Sequence, residues 1–145
     1  MLSVSSYTRE HIAASRARVA SQIAAYRHLL ATARGQAGGD AASLEAAFAS
    51  FEPVFYNNMM LTLDSYFTHR ARQLEGKDGN PLNEVRVLCN AMVQNDGVLA
   101  TDKTIRLKPD TSVLGYEVGD EIRLTEADFV RLSDAFFTEL ESRYV

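Results

Sequence analysis

The sequence has few of the residues that constrain a chain covalently. It holds one cysteine, three prolines, three histidines and no tryptophan in 145 residues. Because Cys89 is the only thiol, no disulfide can form within the chain, as is usual in the reducing cytoplasm. We therefore predict a cytoplasmic protein whose fold has no internal disulfide.

Long apolar runs are also missing. The longest uncharged stretch, residues 53–63, includes Asn57 and Asn58 and is well short of the roughly 20 apolar residues that span a bilayer. The first residues show no basic segment followed by an apolar one, so they do not resemble a signal peptide. We expect a soluble chain with no membrane partner, forming a single domain over residues 1–145.

The histidines lack the spacing of a metal site. His11, His28 and His69 stand far apart and no Glu-x-x-His motif occurs, so the metal-binding motifs of helical bundles are missing. Cys89 follows Leu82 on one apolar helical face, which indicates a small buried side chain rather than a nucleophile. We expect no metal and no cofactor.

Charge is unevenly distributed along the chain. Residues 1–39 carry a net charge of +4 and residues 40–145 a net charge of −8, for a total of −4. An arginine-rich, acid-poor N-terminus is typical of a transit peptide, of a nucleic-acid-binding arm or of a basic helix that packs on an acidic body. We favour the third interpretation, because the arginines are spaced out and the rest of the chain is too acidic for a nucleic-acid partner.

The N-terminal segment, residues 1–35, is predicted to be mostly one long helix from about Arg9 to Arg34. Thr8 is the N-cap candidate, and Gly35 is the residue expected to end the helix. Alanines separate a narrow apolar stripe, which consists of Ile12, Val19, Ile23, Tyr26 and Leu30. Because such a stripe is typical of a coiled-coil seam, we expect this helix to be the dimerisation arm of a homodimer.

Residues 40–145 are predicted to form a helical body. Asp40 can cap a second helix, and Pro53 either ends that helix near Glu52 or kinks it. The apolar pattern then predicts a helix over residues 53–75, which Gly76 ends.

Two further helices have clear starts in the sequence. Asn80 and Pro81 suit the N-cap and first position of a helix over residues 81–95, which would pair with the preceding helix as an αα-hairpin. Thr125 and Asp128 are spaced as a capping box and open the last helix.

The chain changes character before that last helix. Over residues 103–124, apolar and polar residues alternate in TIRLKP, VLGYEV and EIRL, which is the period-two pattern of strands. Two or three short strands are marginal alone and must pack on the helices. The predicted fold class is therefore α+β, mainly α: a bundle of four or five helices with a small antiparallel β-meander before the C-terminal helix.

Polar residues mark one face of the predicted 53–75 helix. They recur at helical spacing and consist of Asn58, Thr62, Ser65, His69 and Arg72. Such a stripe is usually a solvated face, but the two asparagines at 57 and 58 stand among apolar residues and must be hydrogen-bonded if they are buried. The alternative is a small-ligand pocket, with the candidate residues Asn57, Asn58, His69, Arg70 and Arg72.

The stretch HRARQLEGKDGNPLNEVR, residues 69–86, has two interpretations. In GKDGNP a flexible loop opens a helix and Lys77 adds charge, which would suit phosphate binding, although the spacing is not that of a P-loop. The structural interpretation places cations at the end of one helix and Glu84 in the first turn of the next, where each suits the helix dipole. It also predicts an ion pair between Arg72 and Glu84.

The blocks HR, GKDGNPLNEVR and SVLGYEVGDEIRLTEADFVRLSDAFF resemble those of a small bacterial protein family of unknown function. The resemblance runs from about Phe55 to the C-terminus. It implies a soluble bacterial protein with a mixed C-terminal half, and it carries over no activity and no catalytic residue.

The sequence leaves two classes of function open. The first is a non-enzymatic binding or protein-interaction domain. The second is a small-molecule binder or an enzyme with a polar pocket around Asn58, His69, Arg70 and Arg72, with Lys77 and Glu84 as further candidates.

Overall fold

Five α-helices make up the regular structure of residues 2–145, the part of the chain that the computed structural model describes. Met1 alone lies outside it. The helices are α1 (Arg9–Gln36), α2 (Ala41–Ser65), α3 (Arg72–Glu75), α4 (Pro81–Gln94) and α5 (Glu126–Tyr144), and a 3-10 turn at Gly38–Asp40 joins α1 to α2. α5 packs against α1, α2 and α4, so it closes the bundle.

Local capping residues set three helix starts. The Thr8 hydroxyl accepts a hydrogen bond from a first-turn amide of α1 at 3.1 Å, and the Asn80 side chain accepts two from the first turn of α4. Thr125 and Asp128 form a complete capping box at the start of α5. Each cap satisfies amide groups that have no partner inside the helix. The predicted starts of these three helices are confirmed.

α1 lies along α2 and α5 of its own chain. Its predicted apolar stripe is buried or half-buried against them, at Ile12, Val19, Ile23, Tyr26 and Leu30. Arg16 forms ion pairs with Asp134 and Glu141 of α5, and Arg27 pairs with Glu126. The basic helix therefore packs on the acidic body of its own chain. The stripe that predicted a dimer seam is occupied within the chain, and the homodimer itself stays a prediction.

α2 differs most from its predicted course. It runs unbroken through Pro53, so the proline does not end it. The predicted helix over residues 53–75 is wrong, because α2 ends at Ser65 and the chain leaves helical geometry before the four-residue α3. His69 has a φ of 61° there, in the left-handed region that a right-handed helix cannot contain. The connection from α2 to α4 is therefore a folded junction, residues 66–80, and not a tight hairpin turn.

The core lies between α1, α2, α4 and α5 and includes several aromatic rings. Phe67, just after α2, packs against the rings of Phe136 and Phe137 with centroid distances of 5.8 and 6.0 Å. Such tilted and edge-to-face ring contacts add to the stabilisation from apolar burial. Among residues 2–145, no helix combines the length and the apolar character that crossing a membrane requires.

The predicted β-meander over residues 103–124, and with it the α+β class, is wrong. Residues 2–145 form no β-strand and no sheet, and only two isolated β-bridges occur among them. The alternation does reflect burial, since Ile105, Ile122 and Leu124 lie in the core. Residues 95–125 are thus a long loop with buried anchor side chains.

Side chains, not neighbouring strands, satisfy much of the backbone of this loop. The Asn57 amide group donates to the Ile122 carbonyl at 2.8 Å and accepts from the Leu124 amide at 3.1 Å. The Glu84 carboxylate accepts from the amides of residues 113–114 at 2.8 and 3.0 Å. Buried backbone groups need partners but not strand partners, so period-two burial here does not produce a sheet.

Replacing Asn57 tests how strongly it anchors the loop. Asn57→Ala removes both hydrogen bonds and leaves a carbonyl and an amide unpaired in the core. The neighbouring Asn58 is exposed, and the one hydrogen bond of its side chain within residues 2–145 goes to the Val54 carbonyl one turn back, so Asn58→Ala is the matched control. In urea denaturation we expect Asn57→Ala to lower the free energy of unfolding by about 1–3 kcal/mol more than Asn58→Ala does. Equal effects of the two substitutions would contradict this role.

Candidate functional site

The junction between α2 and α4 meets the N-terminal segment of the chain. The Val4 amide donates to the His69 carbonyl, and the Val4 carbonyl accepts from the Ala71 amide, both at 2.7 Å. Residues 2–4 therefore lie as a strap across the left-handed turn. At this turn His69 stays exposed, whereas Arg70 is only 3% exposed.

A buried carboxylate holds the junction together. Glu75, the last residue of α3, is fully buried. It accepts hydrogen bonds from Arg70 Nε at 3.0 Å and from Arg86 Nε and Nη2 at 2.9 and 2.6 Å. Asn83 adds a further bond at 2.9 Å. These four residues, the Glu75 network, join the turn after α2 to both α3 and α4.

The charges of the Glu75 network persist at neutral pH. Burial alone raises the pKa of the Glu75 carboxyl, but the hydrogen bonds and positive charges of Arg86 and Arg70 outweigh burial and hold that pKa below its usual value. The hydrogen bond to Glu75 in turn raises the pKa of Arg86. Glu75 is thus a fixed anion and not a proton acceptor for chemistry.

Arg70 is held from several directions. Besides its bond to Glu75, its Nη1 donates to Asp64 and to the Phe67 carbonyl, both at 3.1 Å. Its guanidinium group also lies 5.4 Å from the centroid of the Phe136 ring. Nη2 lies 2.9 Å from Glu75 but makes no hydrogen bond within residues 2–145. The orientation of this side chain is therefore set by the fold.

Three arginines and a histidine meet at a surface cleft of about 280 Å³ beside the strap. This arginine cleft is lined by Leu2, Ser3, His69, Arg70, Arg72 and Arg86. Within residues 2–145, Arg72 and His69 form no ion pair, and Arg86 leaves Nη1 without a hydrogen bond while Nε and Nη2 bind Glu75. No described carboxylate lines the cleft, and Asp64 and Glu75 pair with Arg70 and Arg86 behind it, so Arg72 supplies its uncompensated positive charge.

Three residues of the predicted polar pocket line one cleft, and the asparagines lie elsewhere. His69, Arg70 and Arg72 all line the arginine cleft. Asn58 is exposed on α2 and donates to a backbone carbonyl one turn back, at 2.8 Å. The Asn57 side chain is hydrogen-bonded to the backbone of the long loop. The polar stripe of the sequence is broken because α2 ends between its third and fourth members.

Lys77 and Glu84 lie outside the arginine cleft and contact the long loop. The Lys77 carbonyl accepts from a loop amide at 3.0 Å, and its side chain is exposed. Asn80 already caps the start of α4, so GKDGNP has few free donors for a phosphate. The predicted ion pair between Arg72 and Glu84 is wrong, because the Glu84 carboxylate is buried and accepts hydrogen bonds from the amides of residues 113–114. Burial raises the pKa of the Glu84 carboxyl, against the opposing effect of those hydrogen bonds.

The sequence interpretation missed Glu75 and Arg86, although both stand in the quoted stretch 69–86. A signal for Arg86 exists, because it stands between Val85 and Val87 in an otherwise apolar part of α4, where an unpaired charge is costly. The partner could not be named, since Glu75 lies 11 residues earlier, before the whole turn into α4.

Metal and thiol chemistry have little support in the described residues. Among residues 2–145, no group of three or more His, Cys, Asp or Glu side chains could hold a metal ion. Cys89 is buried with its Sγ 3.6 Å from the Met60 carbonyl, and burial raises the pKa of its thiol, so it is a poor nucleophile.

Comparison of the chain with protein-family models, with curated proteins and with solved structures gave no match.

Proposed function

We propose that this chain is a non-enzymatic binding protein whose ligand is a small molecule with a carboxylate or phosphate group, held in the arginine cleft. The observation that carries the proposal is the convergence of His69, Arg72 and Arg86 on a cleft that no described carboxylate lines. Guanidinium groups match such oxyanions with paired hydrogen bonds, which are roughly twice as strong as neutral ones.

Arg86 is positioned before a ligand arrives. Its Nε and Nη2 are fixed on Glu75, and its side chain remains 21% exposed. Ordering a flexible side chain on binding costs about 0.5–1.5 kcal/mol, and the Glu75 network has already removed most of that freedom. Arg72 is exposed and can approach the same anion from the open side.

The chemistry at the cleft supports binding over catalysis. Glu75 is buried as an ion between two arginines, so it is not available as a general base. The His69 side chain makes no hydrogen bond within residues 2–145, and it has no carboxylate beside it to orient the ring.

Replacing Arg72 tests the anion site directly. The chain is titrated by calorimetry with inorganic phosphate and with succinate. We expect Arg72→Gln to weaken the affinity of whichever anion binds by about tenfold or more, because a hydrogen bond to a charged group contributes about 1.5–3 kcal/mol. Higher salt should weaken binding to the native chain as well.

The matched control is Arg123→Gln. Arg123 is an exposed arginine outside the cleft, and within residues 2–145 its one ion pair is with Glu121 on the surface. We expect this variant to bind as the native chain does. The proposal fails if neither anion binds, or if the Arg72 and Arg123 variants lose affinity equally.

A second candidate function is self-association through the α1–α2 hairpin. Leu29, Phe51 and Val54 are 58%, 46% and 52% exposed. Phe51 stacks on Tyr26, one turn before Leu29, so these side chains lie along the hairpin edge where the two helices meet.

The occupant that we propose for this edge is a second copy of the chain. A two-fold axis would place the same apolar patch on itself. The charges that flank the edge are paired internally, Arg34 with Glu45 and Arg27 with Glu126. A second copy would therefore meet no unpaired like charge from these residues.

Light scattering at high micromolar concentration tests the dimer. We expect about twice the 16.1 kDa mass of one chain, and we expect Val54→Glu to restore the monomer because it places a charge in the patch. Val93→Glu is the control, since Val93 is a helical valine that is 69% exposed on α4. A native chain that stays monomeric rules the dimer out.

We also propose a bacterial and cytoplasmic setting for this protein. The single buried thiol of Cys89 supports the cytoplasm. The bacterial origin rests on the three sequence blocks quoted above. Neither setting changes the chemistry proposed for the cleft.

A further inference from the structure

The long loop of residues 95–125 forms a second, partly open cavity of about 290 Å³ against Val87 of α4. This loop cavity shares no lining residue with the arginine cleft. Its volume is at the small end of ligand pockets, which run from about 300 to 1,000 Å³. Long loops without regular structure are uncommon in small domains and often serve binding.

The walls of the loop cavity are fixed without a ligand. Asp102 Oδ1 accepts from two loop amides, both at 2.8 Å, and the Arg106 amide donates to the junction at 3.0 Å. The Arg106 carbonyl oxygen also lies close to Gly79, and a Cβ added to Gly79 would be only 2.4 Å from that oxygen. On the opposite wall, Leu99 pairs through its amide and carbonyl with the backbone of residues 119–120 at 2.9 and 2.8 Å.

The lining combines an apolar surface with two cations. Its larger apolar side chains are Leu99, Ile105, Leu107, Pro109, Tyr116 and Val118. Arg106 and Lys108 are exposed and form no ion pair within residues 2–145. Asp102 is the single carboxylate among the described lining residues, and its Oδ1 is bound by the loop itself. Val118 is 63% exposed, so an apolar ligand would cover it.

We propose that the loop cavity binds a small amphipathic anion, a short acyl or comparable apolar body that ends in one carboxylate. The body packs on the apolar lining, and the carboxylate pairs with Arg106 and Lys108, away from Asp102. This site is independent of the anion site at the arginine cleft. A free phosphate has no apolar body and does not suit the loop cavity. An acyl body does not suit the arginine cleft, where Leu2 is the single large apolar side chain among the described lining residues.

A nuclear magnetic resonance titration of the full chain tests the proposal. Octanoate, octanol and inorganic phosphate are the probes, and the backbone amide shifts report where each one binds. We expect octanoate to shift the amides of residues 99–108 and 116–118. Octanol should shift the same amides with about two- to fivefold weaker affinity, the scale of an exposed ion pair. Phosphate should leave them unshifted.

Two lysines of the same loop provide a matched pair of variants. Lys108 lines the cavity, whereas Lys103 is exposed but does not line it. We expect Lys108→Gln to weaken octanoate binding and to reduce its preference over octanol, with Arg106 retaining part of that preference, and we expect Lys103→Gln to leave both affinities unchanged. The proposal is overturned if octanoate leaves the loop amides unshifted, or if Lys108→Gln binds octanoate as tightly as the native chain does.

Discussion

The junction between α2 and α4 depends on one interaction, the pairing of the buried Glu75 carboxylate with Arg70 and Arg86. Removing an ion from water costs several kcal/mol even after relaxation, so a charge in this position persists only with its partners in place. Through Arg70 the network holds the turn at His69, where the strap pairs with the chain. Through Asn83 and Arg86 it holds the first half of α4. The contacts of Glu75 with Arg70, Asn83 and Arg86 therefore determine the course of the chain from α2 to α4.

The same network orients the guanidinium groups of the arginine cleft. Glu75 and Asp64 balance the charges of Arg70 and Arg86, and Arg72 adds a cation with no ion-pair partner among the described residues. A ligand at this cleft would bind guanidinium groups that folding has already oriented. The loop cavity has a different lining, and its walls are fixed by Asp102, by the backbone of Leu99 and by the contact of Arg106 with the junction.

Features that depend on near neighbours could be predicted from the sequence, and features that depend on distant partners could not. Asn80 caps the residues next to it, so the start of α4 could be predicted from the sequence. The absence of strands in the described chain depends on Asn57, which binds loop residues 65 and 67 positions away, and on Glu84, whose loop partners lie 29 and 30 positions away. The same distinction applies to the residues that line the arginine cleft. Its members at residues 69–72 are adjacent in sequence and were predicted together, whereas Arg86 joins them only through the folded turn.

The stability of Glu75→Gln as a function of pH tests the central claim most directly. The partners of Glu75 hold its pKa below the ordinary 4.5, so its stabilising effect should be present above about pH 4.5 and should be lost as the pH falls through the lower, folded value. Glu121→Gln, in an exposed surface pair, is the control. At pH 7 we expect Glu75→Gln to be less stable than the native chain by about 3–5 kcal/mol, with the difference shrinking in acid. A variant as stable as the native chain at pH 7, or a difference that does not change with pH, would contradict the account.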